Sequence, residues 1–245
     1  MTTRTGDPRH RVRPRRRRRR RPAALTVLGV VLLVAGLSCL GYVGYEYLGT
    51  DVVSQRSLDR ETGGLHEQWR TASPAARSEA PTATGTQTAT GAQPVTQVPG
   101  SALALLRVPR FGDDFEVPIV AGTALADLSR GVGHYDGTAD AGQIGNFAVA
   151  GHRITHGQPF AKLLTLRKGD RVVVETRQAV FTYVMDTSPA DLTVEEDAGW
   201  VLDPVPDHPD ATPTQAMITL TTCQDLFHSP DRSVGFGHLE TTRDK

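Results

Sequence analysis

The residues that can do chemistry begin with the run Ile218-Thr219-Leu220-Thr221-Thr222-Cys223, β-branched and apolar residues that read as a strand ending on a cysteine. The only other cysteine, Cys39, lies in a charge-free apolar stretch near the N-terminus and reads as a small buried hydrophobe. Cys223 therefore has no disulfide partner in the chain. An unpaired thiol outside the reducing cytosol is a liability unless it is used. Its use would be nucleophilic attack, and a free thiol with a pKa near ~8.5 needs a cation or a base beside it to act as thiolate. The competing reading is a packing cysteine or a thiol for intermolecular pairing.

The natural partner is a histidine. His134, His152, His156, His208, His228 and His238 are available downstream of the apolar stretch. His152 stands out because Asn146-Phe147-Ala148-Val149-Ala150 reads as a buried strand, and Gly151-His152-Arg153 follows where that strand would leave its sheet. His134 precedes a Tyr-Asp-Gly turn, His208 sits among prolines, and His228 and His238 read as surface positions. Attack on a carbonyl also needs a cation for the oxyanion. Arg232, nine residues past Cys223 and just before the strand Val234 to Leu239, returns beside the sulfur if the two strands are neighbours. Its fixed charge and forked donors suit that task. Pairing with Asp225 or Asp231 is the alternative. No metal and no cofactor is implied: His152 and His156 have no matching cluster, and Glu195-Glu196-Asp197 reads as solvated charge rather than a calcium site.

The elements that must position these groups are short strands. Leu103 to Val108, Phe115 to Val120, Phe147 to Ala150, Arg171 to Thr176, Phe181 to Met185, Met217 to Thr222 and Val234 to Leu239 each read as one, and such density predicts a barrel or sandwich over residues 101–245. Arg171 to Thr176 and Phe181 to Met185 predict a hairpin. Thr123 is the expected cap of a short helix over Ala124 to Ser129, and Pro159 to Leu166 is expected to hold another turn or two. Asp186 to Gln215, acidic and rich in proline, reads as a long functional or disordered loop.

Upstream, Pro81 to Gly100 is Thr, Ala, Gly, Gln and Pro, a flexible linker. Asp51 to Ala80 offers only scattered apolar residues, enough for a weak stalk helix and no core, so residues 46–100 read as stalk and linker. Residues 23–45 are the transmembrane signal anchor: Ala23 to Val43 carries no charge, and ~20 such residues cross a bilayer as a helix. Residues 1–22 hold eleven arginines against Asp7 alone; taken from the 27 basic and 27 acidic residues of the whole chain, they leave 16 basic and 26 acidic residues beyond. An arginine block before an apolar span marks the cytoplasmic side, so the tail is read as a topology signal and not as a nucleic-acid site. Tyr42, Tyr45 and Tyr47 mark the outer end. The expected location is the cell membrane, single-pass, with the folded domain outside.

The ordered set Asn146-Phe-Ala-Val-Ala-Gly-His152-Arg153, Thr219-Leu-Thr-Thr-Cys223 and Arg232 resembles the sortases, most closely the class E sortases of actinobacteria. Leu106-Arg-Val-Pro-Arg-Phe-Gly, Gly133-His-Tyr-Asp-Gly-Thr138, Gly157-Gln-Pro-Phe160 and Lys168-Gly-Asp170 extend the resemblance over the domain. It implies a mostly β fold: an eight-stranded β-barrel with one or two short helices, behind a transmembrane helix and a flexible linker. It also implies a cysteine transpeptidase with His152, Cys223 and Arg232 as catalytic residues, and with a backbone amide near Thr222 as a substrate-binding group. The implied partners are surface proteins bearing a Leu-Pro-x-Thr-Gly or Leu-Ala-x-Thr-Gly sorting signal, and an amine of the peptidoglycan precursor. Asp136, the acidic Gln224 to Asp231 loop, Ser233 and Gly235 depart from the family pattern. The rival readings are a secreted cysteine peptidase or amidase and a non-catalytic envelope-binding β-domain.

Overall fold

A computed structural model describes residues 23–44, 50–71, 100–223 and 230–245. Two units separate, Met1–Val43 and Gly44–Lys245. In the first, α1 (Ala23–Gly44) is one uninterrupted helix whose Leu25, Leu33, Leu37 and Leu40 are each more than 60% exposed. Its span Ala24–Tyr42 is long and apolar enough to cross a membrane. Tyr45 and Tyr47 lie outside the described residues.

The second unit is a closed barrel. Its strands are β1 (Ala102–Arg107), β2 (Glu116–Ala121), β3 (Val132–His134), β4 (Gly145–Ala150), β5 (Arg171–Glu175), β6 (Ala179–Met185), β7 (Thr193–Val194), β8 (Ala216–Cys223) and β9 (Arg232–Asp244). The order is β6-β5-β1-β2-β3-β4-β8-β9-β7, and a further pairing of β6 with β9 closes eight strands on themselves. Closure removes the exposed edges that an open sheet would present. β2 with β3 and β4 with β8 run parallel; every other pair is antiparallel.

Alternate residues of each strand fill the interior, as the two-residue period of a strand requires. Leu106 of β1, Ile119 of β2, Val149 of β4, Val172 and Val174 of β5, Tyr183 and Met185 of β6, and Ile218 and Leu220 of β8 are all 0% exposed and form one core. The Tyr183 hydroxyl accepts the Gly142 N–H at 2.7 Å, and its burial pushes its pKa up to about 12. The seven expected strands are all present, as is the β5–β6 hairpin. Two more, β3 and β7, are too short to show a period. The expected helix after Thr123 is a single turn, α3 (Leu125–Leu128), and its cap differs: the N-cap is Ala124, whose own N–H donates to the Asp127 carboxylate at 3.2 Å. The turn after Pro159 is a 3-10 turn, Leu163–Thr165, flanked by fully buried Phe160 and Leu166.

The largest departure from expectation lies upstream of the barrel. Thr50–Thr71 is a 22-residue helix, α2, packed on β1 and β2. Ser54, Leu58, Glu61, Leu65 and Trp69 recur at the three- and four-residue spacing of one helical face. Leu58 and Leu65 are 4% and 3% exposed. The seam is also polar: Arg130 Nη2 donates to Glu61 at 2.5 Å, His66 Nε2 lies 2.7 Å from Glu116, and Lys245 Nζ sits 4.1 Å over the Trp69 ring. Leu105 and Val120, which alternate away from the core on the two strands α2 contacts, are fully buried.

Candidate active site

The parallel register of β4 and β8 fixes where the proposed nucleophile and base can stand. Asn146 pairs with Met217, Val149 with Leu220 and Ala150 with Thr221. The last rung is polar: Gly151 N–H donates to Thr221 O at 3.1 Å, and Thr222 Oγ1 donates to Gly151 O at 2.7 Å. His152 is the next residue on one chain and Cys223 the next on the other, so both leave the same end of the barrel. On the other side of β8, Cys223 pairs with Arg232, the first residue of β9, which in turn pairs with Val194 of β7. Four strand ends thus bring His152, Cys223 and Arg232 to one rim. The side chain of Cys223 and residues 224–229, including His228, lie outside the described residues.

His152 is held by backbone and ring contacts. Its carbonyl accepts the Phe160 N–H at 2.9 Å, and its ring stacks on that of His156 with centroids 4.7 Å apart and 24° between planes. Among the described residues its buried Nε2 has no hydrogen-bond partner, and neither has Nδ1 of His156. Burial, reinforced by the His156 ring, pushes the His152 pKa down from 6.5 to about 4. A folded pKa below the unfolded one means that the unfolded chain binds more protons between about pH 4 and 6.5, so this contribution to stability is complete above 6.5 and is lost as pH falls toward 4. His134, also shifted down by burial, acts in the same direction. The urea midpoint is expected to fall between about pH 7.5 and about pH 5, and less so in His152→Gln; an equal fall in both would assign the effect elsewhere.

Arg232 is already engaged. Nη1 donates to Pro230 O at 2.9 Å, and Nη2 donates to Glu196 Oε2 at 3.2 Å. Glu196 belongs to the acidic turn read from sequence as solvated charge; one member of that turn faces the arginine. With Glu196 61% exposed, the pair is worth no more than about 1 kcal/mol. Glu196→Gln is expected to leave the melting temperature within about 4 °C of wild type. Among the described residues, no three His, Cys, Asp or Glu side chains stand close enough to share a metal ion.

The other histidines are placed elsewhere. His134 is 2% exposed on β3, with Nε2 3.0 Å from both Ala139 O and Thr138 Oγ1, a structural imidazole under Phe147. His238 meets Asp186 at 2.9 Å, and His208 is exposed. Three neighbours were not assigned a role from the sequence. Tyr135, after β3, puts its hydroxyl 3.3 Å from Thr221 Oγ1, two residues before the cysteine. Asn146 accepts from Thr219 Oγ1 at 2.7 Å, and its amide donates to Val201 O at 2.9 Å and Asp203 O at 3.0 Å. It thereby fastens the Asp186 to Gln215 loop to the strand before Cys223. An asparagine inside a buried apolar run was the available signal. The third is Pro189: a Cβ at Gly235 would stand 2.5 Å from its Cγ, so the glycine in β9 is what lets that loop lie against the strand.

A closed eight-stranded barrel that gathers the ends of a histidine, a cysteine and an arginine strand on one rim defines the class of protein. The sortase domain family matches residues 106–240, and the chain belongs to the sortase family. It is 33% identical over 253 aligned positions to Sortase SrtE1 of Streptomyces coelicolor, an alignment that takes in 96% of this chain and 64% of that relative's length. Among solved structures, sortase E from Streptomyces avermitilis superposes with a TM-score of 0.54 at 39% identity, covering 60% of this chain and 93% of the other. Sortase E1 from Streptomyces coelicolor, solved with a tripeptide in its active site, superposes at 0.52 with 38% identity over the same shares.

Proposed function

We propose that this chain is a membrane-anchored cysteine transpeptidase. α1 would hold it in the cytoplasmic membrane with the arginine-rich tail inside and the barrel outside. Its substrates would be surface proteins carrying a C-terminal sorting signal of the Leu-Pro-x-Thr-Gly or Leu-Ala-x-Thr-Gly type, and its acceptor an amine of the peptidoglycan precursor. The observation that carries the reading is the alignment of His152, Cys223 and Arg232 on adjacent strand ends.

In this mechanism the Cys223 sulfur attacks the threonyl carbonyl carbon, the carbon–nitrogen bond to glycine breaks, and a thioacyl enzyme forms. Arg232 donates to the oxyanion of the tetrahedral intermediate. His152 protonates the departing glycine amine and later takes a proton from the incoming one. Burial of His152 favours its neutral form at rest, so the imidazolium that protonates the leaving amine is its minor form at neutral pH. Thr222 helps through its hydroxyl, which ties β8 to the carbonyl just before His152.

The test is to incubate the full chain with a sorting-signal peptide, with and without an amine acceptor, and to look by mass spectrometry for the thioacyl adduct and the transpeptidation product. An adduct on Cys223 that the acceptor resolves into an amide supports the reading. Cleavage with no difference between the two arms would assign a hydrolase, and no adduct with either signal type would overturn the proposal.

A further inference from the structure

The loop that carries His152 away from β4 turns through an unusual backbone. His156, Gly157 and Gln158 are consecutive and have φ of 54°, 77° and 51°. Two of the three carry side chains in the left-handed region, which such residues occupy only where their surroundings over-determine it. Part of those surroundings comes from outside the barrel. The Gln55 side-chain amide on α2 donates to Gly157 O at 3.0 Å. Leu58 sits so close that a Cβ on Gly157 would lie 2.7 Å from its Cδ1, and Ser54 would lie 3.6 Å from the same point. One residue before this contact, His156 stacks on His152.

We propose that α2 is part of the active site's framework, with Gln55 and Leu58 as positioning residues that set the His152 ring through Gly157 and His156. The inference rests on the reading of His152 as the proton carrier. The helix is suited to the task because its C-terminal half is fixed independently, by Leu65, the His66–Glu116 contact and Trp69 under Lys245, leaving its N-terminal half to reach the loop. It touches the loop through Ser54, Gln55 and Leu58, none of which ionises; Arg56 and Asp59 on the same helix are exposed. Among the described residues, His156 stacks on the ring, Arg153 is the next residue of the same loop, and the backbone pair of Cys223 and Arg232 ends the neighbouring strands β8 and β9. α2 thus acts by placement and by excluding water, and not by charge. Loosening it hydrates the ring and lets His152 hold its proton to higher pH.

The experiment compares the full chain in detergent micelles with Gln55→Ala, Leu58→Ala and, as a control at the other end of the same helix, His66→Ala. Steady-state transpeptidation of a sorting-signal peptide onto an amine gives kcat and KM. Histidine-selective NMR, with the His152 resonance identified by its loss in His152→Gln, gives the titration midpoint of that ring. Gln55→Ala is expected to lower kcat several-fold and Leu58→Ala about tenfold, with KM within about twofold of wild type and the His152 midpoint raised in both. His66→Ala should lower thermal stability and leave kcat and the midpoint unchanged. The proposal is overturned if Gln55→Ala and Leu58→Ala keep the wild-type kcat and midpoint, or if His66→Ala shifts them equally. Should the wild-type chain form no thioacyl adduct, the transpeptidase reading fails by itself, and the NMR midpoints still decide whether α2 sets the ring.

Discussion

Cys223→Ala is expected to eliminate thioacyl formation and to reduce transpeptidation by at least about 10⁴-fold, because the barrel contains no other cysteine to form the covalent intermediate. The fold should survive. Cys223 is the last residue of β8, and the strand is held from Ala216 onward by β4 on one side and β9 on the other. A melting temperature near that of wild type alongside lost activity would therefore separate the nucleophile from a packing cysteine. Arg232 gives a graded companion result. Arg232→Ala should cost about 10²–10³-fold in kcat, the usual loss when one oxyanion donor is removed, and Arg232→Lys should recover only part of it because the fork geometry is lost. Equal activity of the arginine variant and wild type would leave the guanidinium to its contacts with Glu196 and Pro230 and remove it from the chemistry.

These residues are legible in the sequence because each announces itself locally. A strand that ends in a lone thiol, a glycine–histidine pair at the end of an apolar run, and an arginine opening the next strand need no tertiary information. Their meeting is not legible in the same way. β4 and β8 are separated by more than sixty residues and run parallel, and a parallel pair carries no hairpin turn to declare its register. The stacking of His156 on His152 is equally hidden, since it depends on a left-handed turn at His156 that few residues other than glycine adopt.

The elements that a sequence pattern does not reveal are hidden for physical reasons. β3 has three residues, one of them Gly133, and β7 has two, so neither displays an alternating pattern. α2 is the more instructive case. Its apolar residues average fewer than one per turn, and Gly63-Gly64 sits near its middle, where each glycine costs about 1 kcal/mol of helix propensity. Such a helix has little stability alone. It persists because Leu58 and Leu65 bury against strands already assembled, so the information that makes it a helix resides largely in the barrel.

Asn146→Ala is expected to be the most damaging change outside the proposed catalytic residues. The side chain is 1% exposed and makes three hydrogen bonds, so its removal leaves the Thr219 hydroxyl without its acceptor and the Val201 and Asp203 carbonyls without a donor. At about 1–3 kcal/mol for each buried group left unpaired, with some recovery through water at the loop side, the net cost should be about 3 kcal/mol. For a folded unit of this size that corresponds to a fall of about 6–12 °C in melting temperature. The damage should also be directional. Trp200 and Val201 are the part of the Asp186 to Gln215 loop that lies over β4 and β9, and the Trp200 ring sits 6.1 Å from that of Phe236. Freed from Asn146, this segment should become the first site of limited proteolysis, while the β5–β6 hairpin stays protected. A variant that melts with the wild type and is cut no faster between residues 195 and 215 would show that the loop is held by other contacts and that Asn146 is dispensable.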